Sequence, residues 1–247
     1  MYRASRAAEG FERIVETSAD NEPENNDGLH ENHEAVTYMQ QTTEGEYRVL
    51  ASTRSDDEFL LVDVEDGDPT YVPATGYDGE LADRVAALDP GHRVRAHLAW
   101  TDGEVRFGDV TLETETRFRF VRTEEPLFRA AKRCWEGAQE RGAAMNSRVT
   151  RGTGGEPKGV VYTFARQPGE RDLFEEFRDG VKPLEPLVER AREGADPPFE
   201  TFVVDHPDHP FVTVFVVLEP DGYLAETVRD TYVDAEGPGT GGLADRL

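Results

Sequence analysis

Phe202-Val203-Val204-Asp205-His206-Pro207-Asp208-His209-Pro210-Phe211-Val212-Thr213-Val214-Phe215-Val216-Val217-Leu218 is the stretch from which the fold can be read. Residues 202–204 and 211–218 are almost continuously apolar, the pattern of strands covered on both faces. Between them, prolines, histidines and aspartates turn the chain. A sheet buried on both sides needs helices to cover it, and the surrounding sequence supplies them. Glu124, Glu125 and Pro126 suit a helix start, and Leu127, Phe128, Ala131, Cys134, Trp135 and Ala138 form one apolar stripe. Val160, Tyr162 and Phe164 predict a further strand. Leu173, Phe174 and Phe177 predict a short helix stopped by Gly180, and Pro186 opens another carrying Leu187, Val188 and Ala191. Leu224, Val228 and Tyr232 mark a last helix. Residues 123–233 are therefore expected to form an α+β domain, with helices packed on a small sheet, followed by a flexible glycine-rich tail over residues 234–247.

The preceding half has shorter strands. Residues 47–53, 59–64 and 70–73 follow one another, and Leu81, Val85 and Leu88 have helical spacing up to Asp89-Pro90-Gly91. Val94, Ala96, Leu98 and Trp100 alternate with Arg93, Arg95, His97 and Ala99, and Asp102-Gly103 turns a hairpin into residues 105–107. A last strand is expected over residues 112–121, with Phe118 and Phe120 on one face and Arg117 and Arg119 on the other. Three strands, a helix and further strands predict an OB-like small β-barrel over residues 39–122, which closes to avoid exposed edges. Residues 1–38 have too few large apolar side chains to offset their ordering entropy, so a disordered extension is expected there. Met39 would then be the natural start.

The 247-residue chain carries 51 acidic and 27 basic side chains, a net charge of −24. Such self-repulsion destabilises a compact state in dilute buffer and is relieved in molar salt, where the Debye length shrinks to about 3 Å. Only Lys132, Lys158 and Lys182 are lysines, against 24 arginines, and the two features together point to a halophilic cytoplasm. One cysteine, Cys134, excludes an intramolecular disulfide framework and a cysteine-cluster metal site. No apolar run reaches the roughly 18 residues of a membrane span, and no signal-peptide core is present. The charge is uneven: residues 117–192 hold 16 basic and 12 acidic side chains, so the middle of an acidic chain is basic.

Thr75-Gly76-Tyr77-Asp78-Gly79, Met145-Asn146-Ser147-Arg148-Val149-Thr150, Gly169-Glu170-Arg171-Asp172-Leu173-Phe174-Glu175-Glu176-Phe177-Arg178-Asp179-Gly180 and Val228-Arg229-Asp230-Thr231-Tyr232 resemble the motifs of a haloarchaeal family of proteins containing a domain of unknown function. The resemblance covers residues 44–233 and leaves out the first 40 or so. It implies a haloarchaeal origin. It implies no activity and assigns no catalytic residue.

Within the basic region, Arg148, Arg151 and Lys158 flank Gly152-Thr153-Gly154-Gly155. A nucleotide phosphate loop is excluded, because Pro157 precedes Lys158, Gly159 follows it, and the order is helix, loop, strand. A looser arrangement survives, in which Asn146, Arg148, Arg151 and Lys158 converge on an anionic group. The alternative is a solvated loop whose charges pair with the acidic surface. Arg171 and Glu175 share a helix face, as do Glu175 and Asp179. With Arg178 these side chains either form intrahelical ion pairs or face the Asn146 loop, where Glu175 would be a general base or cation ligand. Cys134, on the apolar stripe, reads as a core thiol. Ser147 lacks a nucleophile elbow. His206 and His209 suit a hairpin loop better than a metal site, and no cofactor motif is present. Arg93, Arg95, His97, Arg117 and Arg119 with Tyr47 and Trp100 suggest a single-stranded nucleic-acid face, disfavoured by alternation and by salt.

The expectation is a non-catalytic binding or adaptor protein that docks an acidic protein partner or an anionic small molecule through Asn146, Arg148, Arg151, Lys158, Arg171, Glu175 and Arg178. The alternatives are an enzyme acting on a phosphorylated or carboxylated small molecule, with Glu175 or Asp172 moving a proton, and nucleic-acid binding through the barrel.

Overall fold

A computed structural model describes residues 41–234 apart from residues 102, 168, 170, 193 and 194. The expected extension over residues 1–38, the start at Met39 and the tail from residue 235 onward lie outside the described residues, as does Asp102 of the expected hairpin.

The apolar run becomes the centre of a five-stranded sheet. Strands β9 (Glu200–Asp205) and β10 (Phe211–Val217) are buried along their whole length. The sheet order is β6-β9-β10-β8-β7, with β6 (Arg117–Arg122), β7 (Met145–Arg151) and β8 (Pro157–Ala165). Every pairing in it is antiparallel except that of β6 with β9. Alternation along β10 splits its side chains between two cores. Phe211, Phe215 and Val217 meet α2 (Arg129–Glu140) and α5 (Tyr223–Val228), while Val212, Val214 and Val216 meet α3 (Leu173–Arg178) and α4 (Glu185–Arg192). A π-helical turn, Arg229–Val233, extends α5 and carries Tyr232 into the first of these cores.

Helix α2 has the expected apolar stripe but starts later than its sequence suggests, at Arg129. The Tyr232 hydroxyl accepts from the Phe128 amide at 2.9 Å and donates to the Pro126 carbonyl at 3.3 Å. Residues 126–128 are thereby tied to the π-helical turn and do not wind.

The N-terminal strands β1 (Gln41–Ala51), β2 (Glu58–Asp63), β3 (Pro69–Pro73), β4 (Arg93–Thr101) and β5 (Glu104–Thr114) form an antiparallel sheet in the order β3-β2-β1-β4-β5, with α1 (Gly79–Ala86) between β3 and β4. This sheet is open, and that corrects the expected closed barrel. Its edges β3 and β5 share no ladder. They are bridged by Tyr77, whose hydroxyl donates to Pro73 O at 2.9 Å and accepts from the Phe107 amide at 3.2 Å. The expected strand over residues 112–121 is also divided. β5 ends at Thr114, and β6 belongs to the second sheet beside β9.

Where residues 47–50 of β1 meet residues 60–62 of β2, both faces of the first sheet are buried. Val49 and Leu61 point into its own core with Val72, Val85 and Leu98, while Leu50, Leu60 and Val62 point the other way, onto Phe118, Phe177 and Leu184. The two sheets thus share a core. Arg48, 7% exposed, sits in this joint: it pairs with Glu185, donates to Gly91 O and lies over the Phe118 ring.

His92 occupies the same joint. Its carbonyl accepts from the Val49 amide at 2.9 Å, and its Nδ1 accepts from the Asp89 amide at 3.1 Å, which fixes the neutral ring. Burial pushes its pKa below the ordinary histidine value; Arg117 and Arg48 act in the same direction, Asp89 and Glu115 against it. An unfolded chain therefore takes up this proton first, and the group's contribution to stability is whole above about pH 6.5 and lost as pH falls below it. The unfolding temperature should drop between pH 7 and pH 5, and His92→Asn, which keeps an acceptor but cannot protonate, should flatten that limb. An unaltered pH profile in the variant would refute the assignment.

Candidate functional site

Strand β7 is the outer edge of the second sheet, and α2 runs beside it. Asn146 connects the two: its amide donates to Cys134 O at 2.6 Å, and its side-chain carbonyl accepts from Arg141. A cavity of about 330 Å3 lies between α2 and β7, floored by Phe128, Phe215 and Leu224. Arg129 and Arg133, one turn apart on α2, line it together with Arg148 from β7. These three exposed arginines have no carboxylate partner among the described residues, and the first turn of α2 holds no acidic residue. The positive end of the helix dipole therefore adds to their field. In a chain with 51 carboxylates such a set is conspicuous, since many arginines elsewhere, such as Arg93, Arg122 and Arg229, are paired.

Of the residues expected at the site, Arg148 lies fully within this groove, and Arg151 stands at its end, where Nη1 donates to Gly155 O at 2.8 Å. Asn146 does not line the groove; it bonds β7 to Cys134 O and Arg141 instead. Lys158 is neutralised by Glu219, at 2.8 Å, and by Glu156, and its ammonium pKa is raised chiefly by the Glu219 hydrogen bond. Residues 145–151, expected as a loop, form β7, and the glycines form a hairpin turn in which the Gly152 amide donates to Glu156 O at 2.9 Å.

Helix α3 is not brought to this groove; it packs beside β9 at the other end of the sheet order. There Arg122 reaches Asp172 and Glu175, both at 2.7 Å, and Asp205 at 3.3 Å, with its guanidinium over the Phe174 ring. Arg178 pairs with Glu175 and Asp179, and Arg166 with Asp205. Asp172 also caps α3, accepting from the Phe174 amide at 3.0 Å. Glu175 is thus clamped between the guanidinium groups of Arg122 and Arg178. Arg171 makes no ion pair in it among the described residues.

The Cys134 thiol donates to Val161 O at 3.6 Å and is accordingly a core group, its pKa pushed up by burial. His206 bonds Glu124 O through Nε2 and accepts from the Asp208 amide, and its ring packs on His209, whose pKa is pulled down by burial and by His206. Among the described residues no group of three or more histidine, cysteine or acidic side chains is placed to hold a metal. On the first sheet Arg93 is held by Glu46, and Arg95 by Glu46 and Glu113, while Tyr47 is buried in the opposite face. The hydrogen bond from Arg93 is the main reason the Glu46 carboxyl titrates below its usual range.

Arg129 and Arg133 lie outside the set expected from the sequence, which centred on the glycine-rich stretch. The signal in the sequence is two basic residues at i and i+4 beside an apolar stripe, with Glu125 the one acid at i−4 or i+4 of either.

Fold and groove together define a two-sheet α+β protein with an arginine-lined cleft beside a free sheet edge. The chain belongs to the family of unknown function DUF6663, which matches residues 39–238. Comparison with curated proteins and with solved structures gave no match.

Proposed function

We propose that this is a non-catalytic binding or adaptor protein that recognises an anionic group, carboxylate or phosphate, on a partner or ligand through the groove between α2 and β7. The observation that carries this is the convergence of Arg129, Arg133 and Arg148 on one cavity without carboxylate partners. Guanidinium groups give bidentate bonds to either anion. The acidic composition supports reading it as a salt-adapted, cytoplasmic, haloarchaeal protein. No described helix is long and apolar enough to cross a membrane. The strand order of the first sheet, with a helix between β3 and β4 and Tyr77 standing in for the closing ladder, supports an OB-like platform. The clamped state of Glu175 gives an enzymatic role less support, and the pairing of Arg93 and Arg95 does the same for nucleic acid.

Titration with inorganic phosphate and with a poly-glutamate peptide, followed by calorimetry, tests this. Both should bind, and replacing Arg129, Arg133 and Arg148 together by Ser should weaken binding at least about tenfold, the scale of losing one charge-assisted pair. Equal affinity in the triple variant would remove the groove from consideration.

A further inference from the structure

The groove lies on one side of β7 only, and the strand has a second side and an open edge. Ala165 N bonds Ala144 O at 2.7 Å, continuing the β7–β8 ladder. With the register Asn146↔Thr163 and Arg148↔Val161, antiparallel alternation turns Asn146, Arg148 and Thr150 toward β8. The backbone N–H and C=O groups of Met145, Ser147 and Val149 then point away from the sheet, and no strand among the described residues pairs with them. Met145 and Val149 are also exposed, at 38% and 45%, on a strand where apolar side chains would ordinarily be covered or replaced by charge.

Cavities flank this edge on both faces. Beyond the arginine groove, the opposite face has one of about 460 Å3 between β7, β8 and α4, lined by Val149, Tyr162, Ala191 and Leu218 with Arg151 and Arg190 at its rim. Arg190, like Arg129, Arg133 and Arg148, has no carboxylate partner among the described residues. An added strand would bond to the outward groups of β7 and drop successive side chains alternately into the two cavities, the arrangement by which extended peptides extend a sheet. Arginines line both cavities, and the one carboxylate in the second, Glu219, is already paired with Lys158, so the side chains that suit them are acidic. A second copy of this chain is a poor occupant, since antiparallel pairing of β7 with itself about its middle would set Arg148 against its own counterpart.

We propose that β7 accepts an extended acidic segment of a partner protein as a sixth strand of the second sheet. This rests on the anion-binding groove and adds to it a backbone component. That component matters in concentrated salt, where screening weakens the charge contacts but leaves ladder hydrogen bonds and apolar side chains in place.

The test uses the full chain and a fluorescent ten-residue peptide of alternating Glu and Val, with anisotropy read at about 0.15 M and about 1 M KCl. Two further peptides carry N-methyl groups on alternate residues, one in each frame. Only alternate peptide amides face a neighbouring strand. One frame should therefore lose at least about tenfold in affinity and the other little, at both salt concentrations. Equal responses of the two frames, or a peptide that does not bind while inorganic phosphate does, would overturn strand addition and leave the groove standing. Failure of both phosphate and the unmodified peptide to bind would instead overturn the groove and, with it, this proposal. Ser147→Pro supplies an independent check: it removes an outward N–H without touching the β7–β8 ladder, so it should abolish peptide binding and spare phosphate binding. Retained peptide binding in a folded variant would count against strand addition.

Discussion

Replacing Gly91 by Ala is expected to cost about 3 kcal/mol or more, a large fraction of the stability of an ordinary domain. Gly91 has φ of +100°, which an L side chain rarely adopts, and a Cβ there would lie 2.3 Å from Phe118 N, 2.6 Å from Arg117 C and 2.7 Å from Thr116 O. All three are backbone atoms, so no rotamer change can relieve the overlap. The approach is close because the turn is stitched to both sheets: Gly91 N donates to Val49 O at 2.7 Å, and Phe118 N donates to Pro90 O at 2.8 Å. Relieving the clash would part β1 from the start of β6 and open the shared core beneath Leu50 and Phe118. Gly67→Ala is the control. Gly67 has φ of +82° with nothing within 4 Å of its Cβ position, so it should show only the backbone strain, about 1 kcal/mol. Guanidinium unfolding of both variants decides the matter, and comparable losses would mean that the joint yields more readily than these distances imply.

The second sheet was legible wherever local pattern and burial coincide. Residues 202–204 and 211–217 are apolar at every position but Thr213 because both faces of β9 and β10 are covered, and the stripe from Leu127 to Ala138, most of it on α2, packs on one of those faces. The first sheet was misread for the same reason in reverse. Leu50, Leu60 and Val62 occupy positions that an isolated barrel would give to solvent, and only their partners across the joint explain them. Residues 117–122 gave no sign of their sheet, since the strand beside them begins at Glu200, about eighty residues further on, and parallel pairing leaves no turn to detect. β7 looked like a loop because an edge strand with polar and apolar residues mixed on both faces has little periodicity.

The groove was half legible. The excess of basic residues over 117–192 spans the groove's arginines, and Arg148 lies in the cavity, but charge counts carry no information about pairing. Lys158 and Arg178 are as basic as Arg148 in sequence and are neutralised in space, by Glu219 and Glu175. What separates a free cation from a paired one is a carboxylate brought near by the fold, here from as far away as residue 219.

Glu200→Ala is the other substitution expected to be severe, at about 3 kcal/mol. The side chain is fully buried in the first position of β9, opposite Val217 on one side and Arg117 on the other. Arg119 Nε reaches it at 3.3 Å, and Arg229 pairs with it while donating through Nη2 to Pro220 O at 3.0 Å. The carboxylate therefore ties β6 and the turn after α5 to the sheet centre. Deleting it leaves two guanidinium groups without their counter-charge, but both keep some solvent exposure and can partly rehydrate, which holds the cost to the lower end of the range for buried pairs. The loss should persist in molar KCl, because ions do not reach a carboxylate with no exposed surface; the exposed pair of Arg95 with Glu113 should lose its small contribution under the same conditions. A double-mutant cycle of Glu200→Met with Arg229→Met isolates the pair: if the carboxylate acts by holding Arg229, the double variant is less destabilised than the sum of the singles. Additive losses, or a Glu200→Ala cost below about 1 kcal/mol, would show that the tie is dispensable and that the surrounding apolar packing holds these elements by itself.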